Sequence, residues 1–139
     1  MTPAHHRSIA ACLLVLATSP APAHHSFTAE FDINKPIKMT GTVTQVLWSN
    51  PHAWIYMDVK GKDGKVVNWA FETATANALY RRGWRKDDVK PGTVVIAEGW
   101  AARNGKPAAN TNTITLPDGR RLYAGNAPSE GGPPDTAAK

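Results

Sequence analysis

The sequence predicts a mainly β fold, a small OB-like barrel of five to six strands with one short helix. Three observations lead there. Runs rich in β-branched and aromatic residues recur between glycine, proline and asparagine turn signals. A single short helical pattern follows the third run. The resulting order, three strands, a helix, then two or three strands, is that of an OB-type barrel. Closure into a barrel also removes exposed sheet edges from a chain with this much β structure. A sandwich of similar strand count is the alternative.

Residues 1–23 read as a signal peptide. Arg7 supplies the positive start, Ile9 to Ala17 the short apolar run, and Ala21-Pro22-Ala23 the small-x-small cleavage pattern. That run is too short to span a bilayer, and no later stretch is apolar enough, so no membrane span is expected. Cys12 superficially suggests a lipoprotein site, but it sits near the beginning of the apolar run, with Leu13-Leu14-Val15-Leu16 still to come. It is also the only cysteine of the 139 residues. A chain cut after Ala23 has no disulfide, no thiolate metal site and no cysteine nucleophile. The expected location is periplasmic or secreted.

Residues 24–37 read as an extended arm. Phe27 and Phe31 are its apolar anchors, and Pro36 argues against helix at its end. The barrel domain is assigned to residues 38–125. Its first strand is 38–48, where Gly41 suggests a bulge or bend, and the turn Ser49-Asn50-Pro51-His52 ends it. The second strand, 53–60, places Ile55, Met57 and Val59 on one face and Trp54, Tyr56 and Asp58 on the other. Gly61 to Gly64 makes a hairpin turn into a third strand, 66–72. Thr73 or Thr75 caps the short helix, whose stripe is Ala76, Leu79 and Tyr80 and whose stop is Gly83. Strands follow at 93–101, 110–116 and 120–123. From residue 126 to 139 the composition predicts disorder.

The net charge of +5 falls by one when Arg7 leaves with the signal, because residues 1–23 hold no other charged side chain. So mild an excess favours solubility and weak attraction to anionic surfaces, and does not make the footprint of a nucleic-acid binder. Arg81, Arg82, Arg85 and Lys86 gather at the helix end, where a solvated cluster is the expected reading and an anion site the competing one.

The chemistry concentrates in histidine. His5 and His6 leave with the signal, which puts all the others, His24, His25 and His52, in two short motifs. Cleavage after Ala23 gives His24 a free α-amine beside its imidazole, so one residue offers two nitrogen donors. A third nitrogen from His52, in the turn after Pro51, completes a planar set of the kind copper(II) favours. Zinc fits less well because it prefers tetrahedral sites. His25 offers a competing geometry through the amine, an amide nitrogen and its own ring. The expected ligands are therefore His24, His25 and His52, and the expected ion is copper. Trp54 and Tyr56 are candidates for lining a pocket or stacking on a ligand. They support an alternative, a metal-free module gripping a small ligand or a partner protein. No Ser/His/Asp set, phosphate loop or spaced acid pair is present, so no catalytic residue is assigned.

The sequence also resembles a family of exported bacterial proteins catalogued as a domain of unknown function, over about residues 23–125. The resemblance rests on Ala23-His24-His25-Ser26-Phe27, Glu30-Phe31-Asp32, Gly41-Thr42-Val43 and Trp48-Ser49-Asn50-Pro51-His52. It continues in Asn68-Trp69-Ala70-Phe71-Glu72, Leu79-Tyr80-Arg81-Arg82-Gly83-Trp84, Lys90-Pro91-Gly92 and Leu116-Pro117-Asp118-Gly119-Arg120. It implies export and a small β-rich domain, and no activity. The N-terminal histidine pattern is similar to that of histidine-brace copper proteins in this one feature.

Overall fold

The structure, a computed structural model, describes residues 27–128 and 132–133. Its organising element is β1, Phe31–Leu47. The N-terminal part of β1 pairs with β4 (Val94–Ala102), and its C-terminal part, from Gly41, pairs with β2 (Trp54–Lys60). A strand shared in this way must bend between its two partners. Gly41 stands in register with both Val59 and Val95, and a Cβ there would lie 2.7 Å from the Asp58 carbonyl oxygen. The register irregularity itself falls between Val43 and Gln45. Glycine thus allows the close approach, and the bulge takes up the curvature next to it.

β2 runs back along β3 (Val66–Glu72) in unbroken antiparallel register. The helix Ala76–Arg81 follows, with the Thr75 hydroxyl accepting from the Ala78 backbone N–H at 3.0 Å. That contact satisfies one of the donors a helix start leaves open. β4, β5 (Ala108–Thr115) and β6 (Arg121–Tyr123) complete the chain of strands. The sheet order is β3-β2-β1-β4-β5-β6, and β5 also pairs with β3. This last pairing is parallel and joins residues 70–72 to 108–110, so the sheet closes into a ring. The fold is the expected mainly β, OB-like barrel.

The barrel interior holds Val43, Ile55, Met57, Phe71, Val95 and Ile114, with Leu79, Trp84 and Val89 closing one end. Trp84 is 1% exposed, and a buried tryptophan contributes on the order of 3–5 kcal/mol relative to alanine. The alternation read in β2 is as observed, with Ile55 and Met57 buried and Trp54, Tyr56 and Asp58 more exposed.

Three details differ from the sequence reading. The arm is not uniformly extended: Phe27–Glu30 forms a turn of helix, which we label α1, so that the helix after β3 is α2 and the short helices number two among the described residues. Phenylalanines four apart meet across one helical turn, and their ring centroids are 5.7 Å apart. The first strand begins at Phe31 rather than 38. Pro36 is accommodated because its pairing with Trp100 lies just past a register shift between Phe31 and Pro36. Asn126, where disorder was expected to begin, is 2% exposed. A second apolar cluster, on the outside of the barrel, joins Phe27, Phe31 and Ala102 to Ile33, Trp100 and Ala108.

Candidate functional site

Three backbone segments meet at one end of the barrel. The turn before β2 is tied to the residues after β3: Ala53 N–H donates to Ala74 O (3.1 Å), Thr73 N–H to Ala53 O (2.9 Å) and Ala76 N–H to Ser49 O (3.1 Å). The segment after β6 joins through Ala74 N–H donating to Ala124 O at 2.8 Å. Within the turn, the Ser49 hydroxyl donates to His52 O at 2.6 Å, and the Asn50–Pro51 peptide is cis. The backbone under His52 is therefore held from three directions.

The side chain of His52 is held as well. Its Nδ1 lies 2.9 Å from Glu72 Oε1, with side-chain exposures of 28% for the histidine and 10% for the glutamate. An ionised carboxylate only accepts hydrogen bonds, so Nδ1 carries the hydrogen. In the neutral ring the lone pair is then on Nε2. This is how a metal-ligating histidine is usually oriented, by a carboxylate on its other nitrogen. Asn126 Nδ2 sits 3.2 Å from the same Nδ1. Two donors do not bond each other. Turning the Asn126 amide over presents Oδ1 to the ring, and Oδ1 otherwise has no hydrogen-bond partner among the described residues.

Glu72 belongs to a row that crosses four strands on the outer face of the barrel. Trp54 is its register partner on β2, Asn110 its partner on β5, and Trp100 the partner of Asn110 on β4. Asn110 is 1% exposed, and its Oδ1 finds no hydrogen-bond partner among the described residues. At the far end of the row the Phe27 ring meets Trp100 edge-on at 5.5 Å. Phe27, the first described residue of the arm, is thus seated at one end of the row whose other members include Glu72, the carboxylate beside His52.

The sequence-predicted residues fall as follows. His52 is at this end, in the predicted turn. His24 and His25 lie outside the described residues. Trp54 lines a groove between the arm and the barrel together with Glu30, Phe31, Arg103 and Asn104. Tyr56 stands one pair farther along the same face, in register with Gln45 and Ala70. Trp48, which flanks the turn in sequence, turns toward the core and meets Trp84 at 6.3 Å. Among the described residues no group of three His, Cys, Asp or Glu side chains is gathered for a metal.

Sequence reasoning did not single out Glu72, Asn110 or Asn126. Glu72 carried a faint signal as the acid closing Asn68-Trp69-Ala70-Phe71-Glu72. Asn110 carried another, as an amide within a strand.

A family model described as a family of unknown function (DUF6152) matches residues 11–111. The match spans the positions of His24, His25, His52, Glu72 and Asn110 and stops before Asn126. No curated protein and no solved structure matches the chain.

Proposed function

Because the chain belongs to this family of unknown function, whose description carries no activity, we propose a function from the site itself: an exported, periplasmic metal-binding protein that takes copper. In this reading, cleavage after Ala23 frees the His24 α-amine. That amine, the His24 imidazole and His52 Nε2 are the three nitrogen ligands, with His25 as neighbour or substitute. The role is storage, delivery or resistance rather than catalysis.

One observation carries the reading. His52 is held at Nδ1 by Glu72, with Nε2 left to accept a ligand, and Phe27 is seated on the same row of residues. Neighbouring strands lie about 4.8 Å apart, so Glu72 is about 10 Å from Trp100, two strands away. Three extended residues cover about 10 Å. His24 precedes Phe27 by three, a reach of the same order as that spacing. Three neutral nitrogen donors in a plane favour copper(II), which also heads the divalent affinity order.

The test is calorimetric titration with copper(II) of the protein processed by an exporting cell, its first residue established by intact mass. The expected result is binding at about micromolar or tighter, lost when one alanine precedes His24. Absence of binding, or equal binding with the extra alanine, overturns the proposal.

A second reading is favoured by the groove of about 480 Å³ that Trp54 lines. It makes the chain a metal-free module for a small ligand or another periplasmic protein. It requires that Trp54→Ala abolish binding while His52→Ala leaves it intact.

A further inference from the structure

We propose that the end of α2, together with β6, is a docking surface for an anionic lipid bilayer. Arg81, Arg82, Arg85 and Lys86 are all exposed. Among the described residues none of their side chains pairs with a carboxylate, whereas Lys38, Lys90, Arg103, Arg120 and Arg121 all do. The adjacent acids are committed elsewhere: Asp87 to Lys90, and Asp88 to Arg120. A chain of modest net charge therefore concentrates four uncompensated cations in six residues. Long-range attraction to an anionic surface depends on such local excess rather than on the total.

Two tyrosines complete the surface. Tyr80 is 61% and Tyr123 47% exposed. The Arg85 guanidinium lies 4.5 Å over the Tyr80 ring, and that of Arg82 4.8 Å over Tyr123. Trp84 Nε1 donates to Tyr123 O at 2.9 Å, which fixes β6 against the helix end and makes the two stacked pairs one rigid patch. Tyrosine beside cations is the composition that settles at the headgroup level of a membrane.

The two exposed tyrosines beside the cations favour a bilayer over an acidic peptide. Arg82 Nη1 already donates to Gly125 O at 2.7 Å, and Arg85 Nη1 to Trp84 O at 2.7 Å. One donor nitrogen of each guanidinium is thus committed, which leaves the Nε–Nη2 edge for lipid phosphate oxygens. Arg81 and Lys86 add exposed charge beside them, so the patch as a whole suits a diffuse anionic plane. Gly125 precedes Asn126, which sits on His52, so a docked chain turns its histidine end toward the membrane.

The experiment measures partition of the protein processed by an exporting cell onto phosphatidylcholine vesicles with and without about one-third phosphatidylglycerol. Each basic residue near such a surface contributes about 1 kcal/mol, or about fivefold. The expected outcome is preference for the anionic vesicles that falls with salt, and a loss of about 25-fold in the double variant Arg81→Gln, Lys86→Gln. These two side chains hold no described contact, so the fold is kept. The control Lys60→Gln, Lys62→Gln removes equal charge from the far hairpin and should change little. Equal loss in the control, no preference for anionic vesicles, or binding to soluble polyglutamate in place of vesicles each overturns the proposal.

Discussion

His52 is oriented by residues that lie far from it in the chain. Glu72 holds one ring nitrogen from the end of β3, and Asn126 closes over it from beyond β6. The side chain that faces a ligand is thus positioned by groups that need not touch the ligand. Such outer partners typically contribute 10- to 100-fold in metal affinity. We predict that Glu72→Gln weakens copper(II) binding by about that factor, as read by competition titration. The fold should survive, because a glutamine fills the same space and keeps an acceptor oxygen. Unchanged affinity would show that the carboxylate does not set the ring.

The same residues mark the limit of what the sequence made legible. His52 was readable because Pro51 sits beside it and histidine is scarce. Glu72 was not, because an acid at a strand end reads alike whether it meets solvent or a histidine from another turn. Asn126 was misread for a related reason: its neighbours are the small and turn-forming residues of a loose tail, and its burial depends on where β6 delivers it.

At the scale of elements, periodicity did most of the work. Alternation in Trp54 to Lys60 and the turn at Gly61 to Gly64 define β2 and β3 locally, so both were legible. The start of β1 was not, because Pro36 argues for a break that a register shift absorbs. The pairing of β4 with β5 depends on a feature that no local pattern reveals. Gly99 lies in a register irregularity, and a Cβ there would fall 1.9 Å from the Asn110 carbonyl oxygen. That neighbour is backbone, so it cannot step aside as a flexible side chain would. Gly99→Ala is predicted to destabilise the protein by about 3 kcal/mol or more, measured by urea unfolding. Since Asn110 belongs to the row beneath the arm, the variant should also weaken ligand binding.

At the scale of the whole molecule, charge ties the strands together. Lys38 on β1 and Arg121 on β6 both reach Glu98 on β4, at 3.1 and 2.7 Å. The hydrogen bond from Lys38, and then the charges of Lys38 and Arg121, hold the Glu98 carboxyl below its ordinary value of 4.5 despite partial burial. Asp118 is lowered likewise, chiefly by the hydrogen bond from Arg120. A carboxyl with a depressed folded-state pKa binds its proton more readily when unfolded. It stabilises the fold above the unfolded value, and that stability is lost as pH falls through the folded value. Unfolding free energy should therefore decline as pH drops below 4.5, and Glu98→Gln should flatten part of that decline in a pH series of denaturant titrations.

The ring of strands is closed by a short seam, the three parallel pairs that join residues 70–72 to 108–110. Parallel links between distant parts of a chain are costly in loop entropy and slow to form. Glu72 and Asn110 are the last pair of that seam. The β2–β3 pairing already brings Glu72 to His52, and closing the seam adds Asn110 and Trp100, which complete the row that leads to the arm. A ligand held between the arm and His52 would span both sides of that seam, as a latch spans a joint, and so would hold the cylinder shut.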